Sequence, residues 1–283
     1  MIDLHTHSTF SDGSLTPEAL VESASAAGLS ALALTDHDTT EGLAPFMVAC
    51  EKAGITGVPG VEISAEYAPG TMHLLGYFMD PDHAGMQSAL LRLREGREHR
   101  NHRILLALAS LGMDLPWSEV TAFAGSDVVG RPHIAQAMIA RGYAASKQDV
   151  FKRFLGKGKP GYVERDRLSP KKGIELIRAA GGVPVLAHPF TLKLRNKALR
   201  SCVAELVDYG LQGIEVFYPE HGPERLHLYQ RLAIAFGLTM TGGSDFHGAA
   251  NPAIKIGRGF DNIHVSDAIL DDLRSRNCLR SNH

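Results

Sequence analysis

Cysteine is scarce in this chain. Only Cys50, Cys202 and Cys278 occur among 283 residues, far apart and without C-x-x-C spacing. That excludes a disulfide framework and a thiolate zinc site, and it fits a reducing cytoplasm. An excess of either charge is missing as well. The 29 Lys and Arg against 31 Asp and Glu leave a formal net charge of −2. The overall balance therefore points to neither a nucleic-acid nor a membrane partner, and any basic surface must be local. No uninterrupted apolar run approaches membrane-spanning length. Met1 leads straight into the strand pattern M-I-D-L-H, with no basic and apolar leader of the secretory kind before it. The expectation is a cytoplasmic protein with no membrane contact and no obligate protein partner. Short-period repeats and low-complexity tracts are also lacking. Hydrophobic residues make up 44%, enough for a large core, and 283 residues is a length that α/β barrels reach as one unit.

Histidine is present in a telling pattern. His5 and His7 in D-L-H-T-H, His37 in T-D-H-D, His73 in T-M-H-L, His188 in L-A-H-P and His247 in S-D-F-H are nearly all beside a carboxylate. Four of these segments follow a short apolar run of strand character. A lone histidine is an ordinary core or surface residue. Six at strand ends are hard to explain by packing, and imidazole is the commonest side chain bound to metals. The pattern predicts a multinuclear metallohydrolase.

The chain alternates strand and helix at both ends. Strands are predicted at Ile2–Leu4, Ala31–Leu34, Val58–Ile63, Met72–Phe78, Val183–Ala187, Gly213–Phe217 and Leu238–Thr241. Helices are predicted from Pro17 to Gly28, from a Thr40 cap through Ala53, from Ser169-Pro170 onward, and over Lys197–Tyr209, Pro223–Phe236 and Ser266–Arg276. Ala68-Pro69-Gly70 reads as a turn joining two of the strands. From about Ala84 to Leu155 only helix signals occur. They are a long amphipathic stretch over Gln87–Leu111 and shorter pieces at Ser118–Phe123, Pro132–Ala140 and Lys147–Leu155. The long stretch is basic from Arg92 to Arg103, with charges all around the helix, as on a solvated face. Strand–helix alternation argues for a parallel sheet or barrel, whose functional groups gather at the carboxyl ends of the strands.

His5 and His7, two apart on a strand, face the same way, so one ion can take both. Asp12 follows in an S-D-G turn, where a plain turn residue is the alternative reading. His37 lies between Asp36 and Asp38, either of which could hold its second ring nitrogen. Glu62 ends a strand, where an unpaired buried carboxylate would be costly and a place between metals would satisfy it. Asp245 and His247 repeat the alternate spacing.

Taken in order, D-L-H-T-H-S-x-x-S-D-G, T-D-H-D, G-V-E, H-L-L-G-Y, A-H-P and G-S-D-F-H resemble the PHP (polymerase and histidinol phosphatase) family, relatives of the amidohydrolases. The resemblance covers about residues 1–80 and 165–283. The helical insertion, G-R-P-H (Gly130–His133) and G-K-G-K-P (Gly156–Pro160) resemble the subgroup of bacterial nucleoside 3′,5′-bisphosphate phosphatases, which includes 5′→3′ exoribonucleases. The resemblance implies an α/β fold, a distorted (β/α)7 barrel built from residues 1–83 and 164–283. Residues 84–163 would be a helical insertion domain forming a substrate-binding cap.

It also implies three divalent metal ions. His5, His7, Glu62 and Asp245 would hold the first. Glu62 as a bridge, with His73 and His188, would hold the second. Asp12, where some members have histidine, would hold the third with His37 and His247. Nitrogen and oxygen donors without thiolate suit Mn²⁺, with Zn²⁺ or Fe²⁺ as alternatives. Such an ion lowers the pKa of bound water from ~15.7 to about 7, making hydroxide available for attack on phosphorus. Asp36 or His221 would protonate the leaving oxygen. Arg131, His133, Lys157 and Lys159 would contact the substrate's other phosphate. The expected activity is removal of the 3′-phosphate from a nucleoside 3′,5′-bisphosphate such as pAp, giving AMP. The alternative is 5′→3′ exonuclease action on short 5′-phosphorylated RNA. Histidinol phosphate hydrolysis, amide hydrolysis and a nucleic-acid-binding module with structural metals are further contenders.

Overall fold

The computed structural model describes residues 1–68, 70–123, 129–164 and 167–278. Its apolar runs form β1 (Ile2–Asp3), β2 (Ala31–Leu34), β3 (Thr56–Ala65), β4 (Met72–Tyr77), β5 (Val183–Leu186), β6 (Gly213–Phe217) and β7 (Thr239–Gly242). They lie side by side in that order. The sheet curls until its ends meet. Leu4 N–H donates to Gly242 O at 3.2 Å, Asp245 N–H to His5 O at 2.8 Å and His7 N–H to Phe246 O at 3.0 Å. The result is a nearly closed seven-stranded barrel. Gly243 belongs to this seam, and any Cβ on it would collide with the His5 backbone.

Strand periodicity sorts the core into two layers. Ile2, Leu4, Ala31, Ala33, Leu75, Val183 and Val185 share one cluster. The alternate residues Leu32, Leu34, Ile63, Leu74 and Leu186 pack in another with the helices. Uniform parallel order fails at one strand: β4 runs antiparallel to both β3 and β5. The reason is connection length. A short turn can only fold the chain back, whereas a parallel neighbour needs a crossover of about a dozen residues. The expected turn is at this place, although Pro69 lies outside the described residues.

The helices of the first half are α1 (Pro17–Ala26), capped by Thr16, and α2 (Leu43–Ala53), closed by the left-handed Gly54. Thr40 does not cap α2, which starts at Leu43 with Gly42 before it. The Thr40 hydroxyl instead accepts Gln87 Nε2 at 2.7 Å. The long basic stretch is α3 (Ala84–Ala109), followed by α4 (Trp117–Thr121), α5 (Arg131–Ala140) and α6 (Lys147–Val150). The helix expected to reach Leu155 widens into a looser turn over Phe151–Leu155. The start of α3 places Met86, Leu90 and Leu93 in the barrel's helix-side cluster. Its end places Ile104 and Leu108 in a second cluster with Val120, Ile134, Met138 and Leu155. α7 (Pro170–Ala179), α8 (Asn196–Tyr209), α9 (Pro223–Phe236) and α10 (Asp267–Cys278) complete the outer layer. Among the described residues, no helix is long and apolar enough to cross a membrane.

Candidate metal centre

The nine histidine and carboxylate residues expected to hold metal ions meet at one end of the barrel. Glu62, fully buried on β3, is the hub. One of its oxygens, Oε2, faces His37 Nδ1 at 2.9 Å and the Nε2 atoms of His5 and His7 at 3.3 Å. The other, Oε1, faces His73 Nδ1 at 2.7 Å and His188 Nε2 at 2.9 Å. Asp245 Oδ1 lies 3.1 Å from His7 Nε2 and 3.3 Å from His5 Nε2. Asp12 Oδ1 lies 3.0 Å from His247 Nε2, and its other oxygen is 3.9 Å from His37 Nε2. Three overlapping groups therefore have donor atoms close enough for one ion each: His5, His7, Glu62 and Asp245; His7, Asp12, His37 and His247; His37, Glu62 and His73.

Whether these donors suit metal ions can be judged from their unmet needs. His5 Nε2, His7 Nε2, His37 Nδ1, Asp12 Oδ1 and Glu62 Oε2 are buried, and although they crowd against one another, none makes a well-aligned hydrogen bond. Buried polar atoms are nearly always paired. Five buried donor atoms brought together without well-aligned hydrogen bonds, all nitrogen or carboxylate oxygen, fit divalent cations.

The electrostatics agree. Burial alone would raise the Glu62 carboxyl, but His37, His73 and His5 outweigh it and hold it well below the usual range. Burial would likewise lower His5, yet Glu215, Asp245 and Glu62 lift it well above an ordinary histidine. His73 goes the other way: burial pushes it down to about 4. Backbone strain is concentrated here too. His188, Asp245 and Asp38 all have positive φ, at 23°, 54° and 54°, a state costing about 1–3 kcal/mol each that packing must enforce.

Several groups around the cluster were not foreseen. Glu215 on β6 is fully buried behind the ligand set. It meets His5 Nδ1 at 2.9 Å and accepts the His188 backbone N–H at 2.7 Å. One carboxylate thus fixes the ring of one candidate ligand and the strained backbone of another. A glutamate inside the apolar run G-I-E-V-F was the signal for it. Such outer partners typically contribute about 10–100-fold to metal affinity. Glu215→Ala is expected to weaken Mn²⁺ binding by that margin in calorimetric titration; unaltered affinity would remove this role. Tyr218 donates to Asp245 Oδ2 at 2.8 Å.

The aspartates flanking His37 do not hold its ring. Asp36 accepts Ser8 N–H at 2.8 Å, Ser8 Oγ at 2.6 Å and Ser11 Oγ at 2.5 Å. Asp38 accepts Ser64 N–H at 2.8 Å and pairs with Arg97 at 2.5 Å. These donors occupy both Asp36 oxygens, so Asp36 braces the Ser8–Ser11 turn rather than facing a leaving group. His221 is no better placed for that task. Its Nδ1 bonds to Val216 O at 2.9 Å, and its ring packs against Phe190, Tyr218 and Tyr229. Burial pushes it down to about 4, so it is neutral near pH 7.

Above the cluster is a cavity of about 200 Å³ whose wall includes Asp12, His37 and His73 on the barrel side. Arg97, Arg100, Arg131 and Arg167 line it from the other side. Of these only Arg131 stood out in the sequence. It reaches Leu155 O at 3.3 Å, with Phe151 and Tyr162 rings 5.9 and 5.6 Å from its guanidinium. The i, i+3 spacing of Arg97 and Arg100 was legible, but which side of the helix was buried was not. His133 is buried, and its Nδ1 accepts Gly130 N–H at 3.0 Å as part of the α5 cap. In the neutral ring that burial favours, Nε2 carries the proton. Lys157 and Lys159 are exposed and do not line this cavity. Lys157 borders a neighbouring cleft near Tyr67 and Tyr209.

The chain matches the family model described as PHP domain over residues 3–146. It is 32% identical over 276 residues to a 3′,5′-nucleoside bisphosphate phosphatase of Chromobacterium violaceum, with 97% of each chain covered. It is 35% identical over 258 residues to a 5′-3′ exoribonuclease of Salmonella typhimurium, covering 90% of this chain and 88% of that one. Among solved structures, an amidohydrolase of Chromobacterium violaceum with bound sulfate superposes at a TM-score of 0.86 and 32% identity, covering 97% of this chain and 96% of that one. A candidate metal-dependent phosphoesterase of Bifidobacterium adolescentis superposes at 0.84 and 31% identity, with the same coverage.

Proposed function

This chain belongs to the PHP domain family, and from that premise we propose that it is a metal-dependent phosphoesterase that hydrolyses the 3′-phosphate of nucleoside 3′,5′-bisphosphates. The observation carrying this reading is that a metal-ligand cluster and four arginines face each other across one cavity. Such a cavity suits a small molecule with two phosphates. One phosphate lies on the cluster and the other meets guanidinium groups, which bind phosphate with a planar fork.

In this reading His5, His7, Glu62 and Asp245 would hold one ion, Glu62 with His73 and with His188, which faces the same Glu62 oxygen, would hold a second, and Asp12, His37 and His247 a third. Mn²⁺ is the ion proposed, on the all nitrogen and oxygen donor set. Bound divalent ions supply water of lowered pKa and charge to neutralise the phosphate oxygens. The chain's own residues do the rest. Glu215 and Tyr218 keep His5 and Asp245 aimed inward. Arg97 and Arg131, held by Asp38 and by the Phe151 and Tyr162 rings, orient the second phosphate. The helical segment containing Arg131 serves as the substrate-binding cap.

Phosphate release by manganese-loaded protein from adenosine 3′,5′-bisphosphate tests the proposal. AMP and inorganic phosphate are expected in equal amounts, and no release would refute it. In the same assay, Arg131→Ala should lower kcat/KM for the bisphosphate by roughly 10–100-fold, the worth of charge-assisted hydrogen bonds to phosphate. A simple phosphomonoester should lose far less. Equal losses on both would deny Arg131 its place at the second phosphate.

A further inference from the structure

One hydrogen-bonding pattern recurs three times around the cluster. Asp3 on β1 accepts the Ser244 backbone N–H at 2.8 Å on one carboxylate oxygen and the Ser244 hydroxyl at 2.5 Å on the other. Asp36, just after β2, takes Ser8 in the same way, at 2.8 and 2.6 Å. Asp38 takes Ser64 on β3, at 2.8 and 3.1 Å. In each pair the backbone amide goes to Oδ1 and the hydroxyl to Oδ2. All six residues are buried. Each pair crosses from one strand end to the next: β7 to β1, β1 to β2, and β2 to β3. The three form a belt along one side of the barrel mouth.

Every serine in the belt stands close to a candidate ligand. Ser8 follows His7, Ser244 precedes Asp245, and Ser64 lies two residues past Glu62 and opposite His73 on β4. Asp3 also accepts the His5 N–H at 3.2 Å and the Gly257 N–H at 2.7 Å, so four donors fill its two oxygens. Backbone strain falls at the same places: Asp38 belongs to the belt, and Asp245 adjoins Ser244. Stability alone does not explain the pattern. Buried carboxylates are costly to desolvate, and apolar contacts would close the barrel at less cost. What a carboxylate adds is direction. Its two charge-assisted hydrogen bonds fix both the backbone and the side chain of one serine.

We propose that these three Asp–Ser pairs are positioning residues that hold the candidate ligands in metal-binding geometry before any ion arrives. The inference rests on the metal-centre reading of the cluster. Each pair serves its own ligands. Asp3 with Ser244 sets His5 and Asp245, next to the atoms they grip. Asp36 with Ser8 and Ser11 sets the turn that carries His7 and Asp12. Asp38 with Ser64 sets His37 against the end of β3 that carries Glu62. A ligand set arranged in advance binds an ion more tightly, because binding then has fewer groups left to order.

Hydrogen exchange of the whole wild-type chain in chelator, read at single residues by mass spectrometry, tests the advance arrangement. The Ser8, Ser64 and Ser244 amides should exchange at least ~100-fold more slowly than in an open chain. Fast exchange at all three that turns slow only after Mn²⁺ is added would mean that ions do the positioning, and would overturn the proposal. Ser8→Ala, Ser64→Ala and Ser244→Ala each remove a hydroxyl and keep the backbone. Each should weaken Mn²⁺ binding by roughly 10–100-fold, the worth of outer partners of metal ligands, with free Mn²⁺ measured by electron paramagnetic resonance. Where a variant fails to fold, exchange in the wild-type chain still decides. Wild-type binding with unaltered affinity in all three variants, even at a lower melting temperature, overturns the inference alone. Wild-type protein that binds no Mn²⁺ overturns the metal-centre reading and this inference together.

Discussion

Glu62→Gln is expected to lower turnover of a nucleoside bisphosphate by roughly 10³–10⁴-fold, the equivalent of the several kcal/mol that bound metal charge supplies. The substitution keeps size and shape, so packing is preserved. It removes the one carboxylate whose two oxygens face five rings: His5, His7 and His37 on one side, His73 and His188 on the other. An amide also turns an NH₂ donor toward nitrogens that metal binding needs as acceptors. Loss should appear in composition before it appears in rate. Metal analysis of the purified variant should show fewer ions per chain than wild type. Full metal content together with normal turnover would end the claim that Glu62 bridges.

The second large effect is a pH dependence of metal binding with a sign opposite to that of metal-free stability. Five of the histidines, His5, His7, His37, His188 and His247, are raised although burial opposes it, because Glu62, Glu215, Asp245 and Asp12 surround them. A raised histidine stabilises the fold fully below its ordinary pKa near 6.5, and that stability is lost as pH climbs through the raised value. The carboxylates Asp12, Glu62 and Asp245 are depressed despite burial, so their contribution is present above about pH 4 and lost on acidification through the depressed values. Metal-free protein should therefore melt highest in mild acid and lower as pH rises past 6.5. Metal affinity should move upward over the same interval, because each histidine must release its proton to bind. The slope is ~tenfold per pH unit for every proton displaced, and two such histidines give ~100-fold. Calorimetric titration with Mn²⁺ at several pH values, beside melting curves in chelator, measures both trends. A flat affinity profile would mean that the ligand histidines are already neutral without metal.

The chain's local patterns revealed the site better than its surroundings. D-L-H-T-H, T-D-H-D and S-D-F-H join strand periodicity to donor atoms within a few residues, so spacing alone indicates a shared direction. Glu62 was legible for another reason, as a carboxylate ending an apolar strand. What could not be read were pairings across long sequence distances: Arg97 with Asp38, or Glu215 with His5, 210 residues apart. His37 shows the difficulty well. Its sequence neighbours Asp36 and Asp38 turn to Ser8, Ser11 and Ser64, and its ring meets Glu62 instead. Strand β4 misled similarly, because a run of apolar residues has the same pattern whichever way it runs. The lysines at 157 and 159 have the composition of an anion-binding loop, but composition says nothing of reach, and neither lines the cavity over the cluster.

Helix α3 is anchored twice, its first turns in the barrel's apolar layer and its last in the second cluster. At ~1.5 Å per residue it is about 39 Å long, a stiff beam. Midway along that beam Arg97 is tied to Asp38, the residue next to His37. Discrimination among substrates and the hydrolytic machinery are therefore geared to one rod. A lineage adapting this scaffold to a new phosphate ester could not re-seat the rod for fit alone, because each adjustment would be transmitted to the loop carrying His37. Changes at the exposed positions of α3, such as Leu91 and Arg92, leave the rod in place and are the open route for divergence.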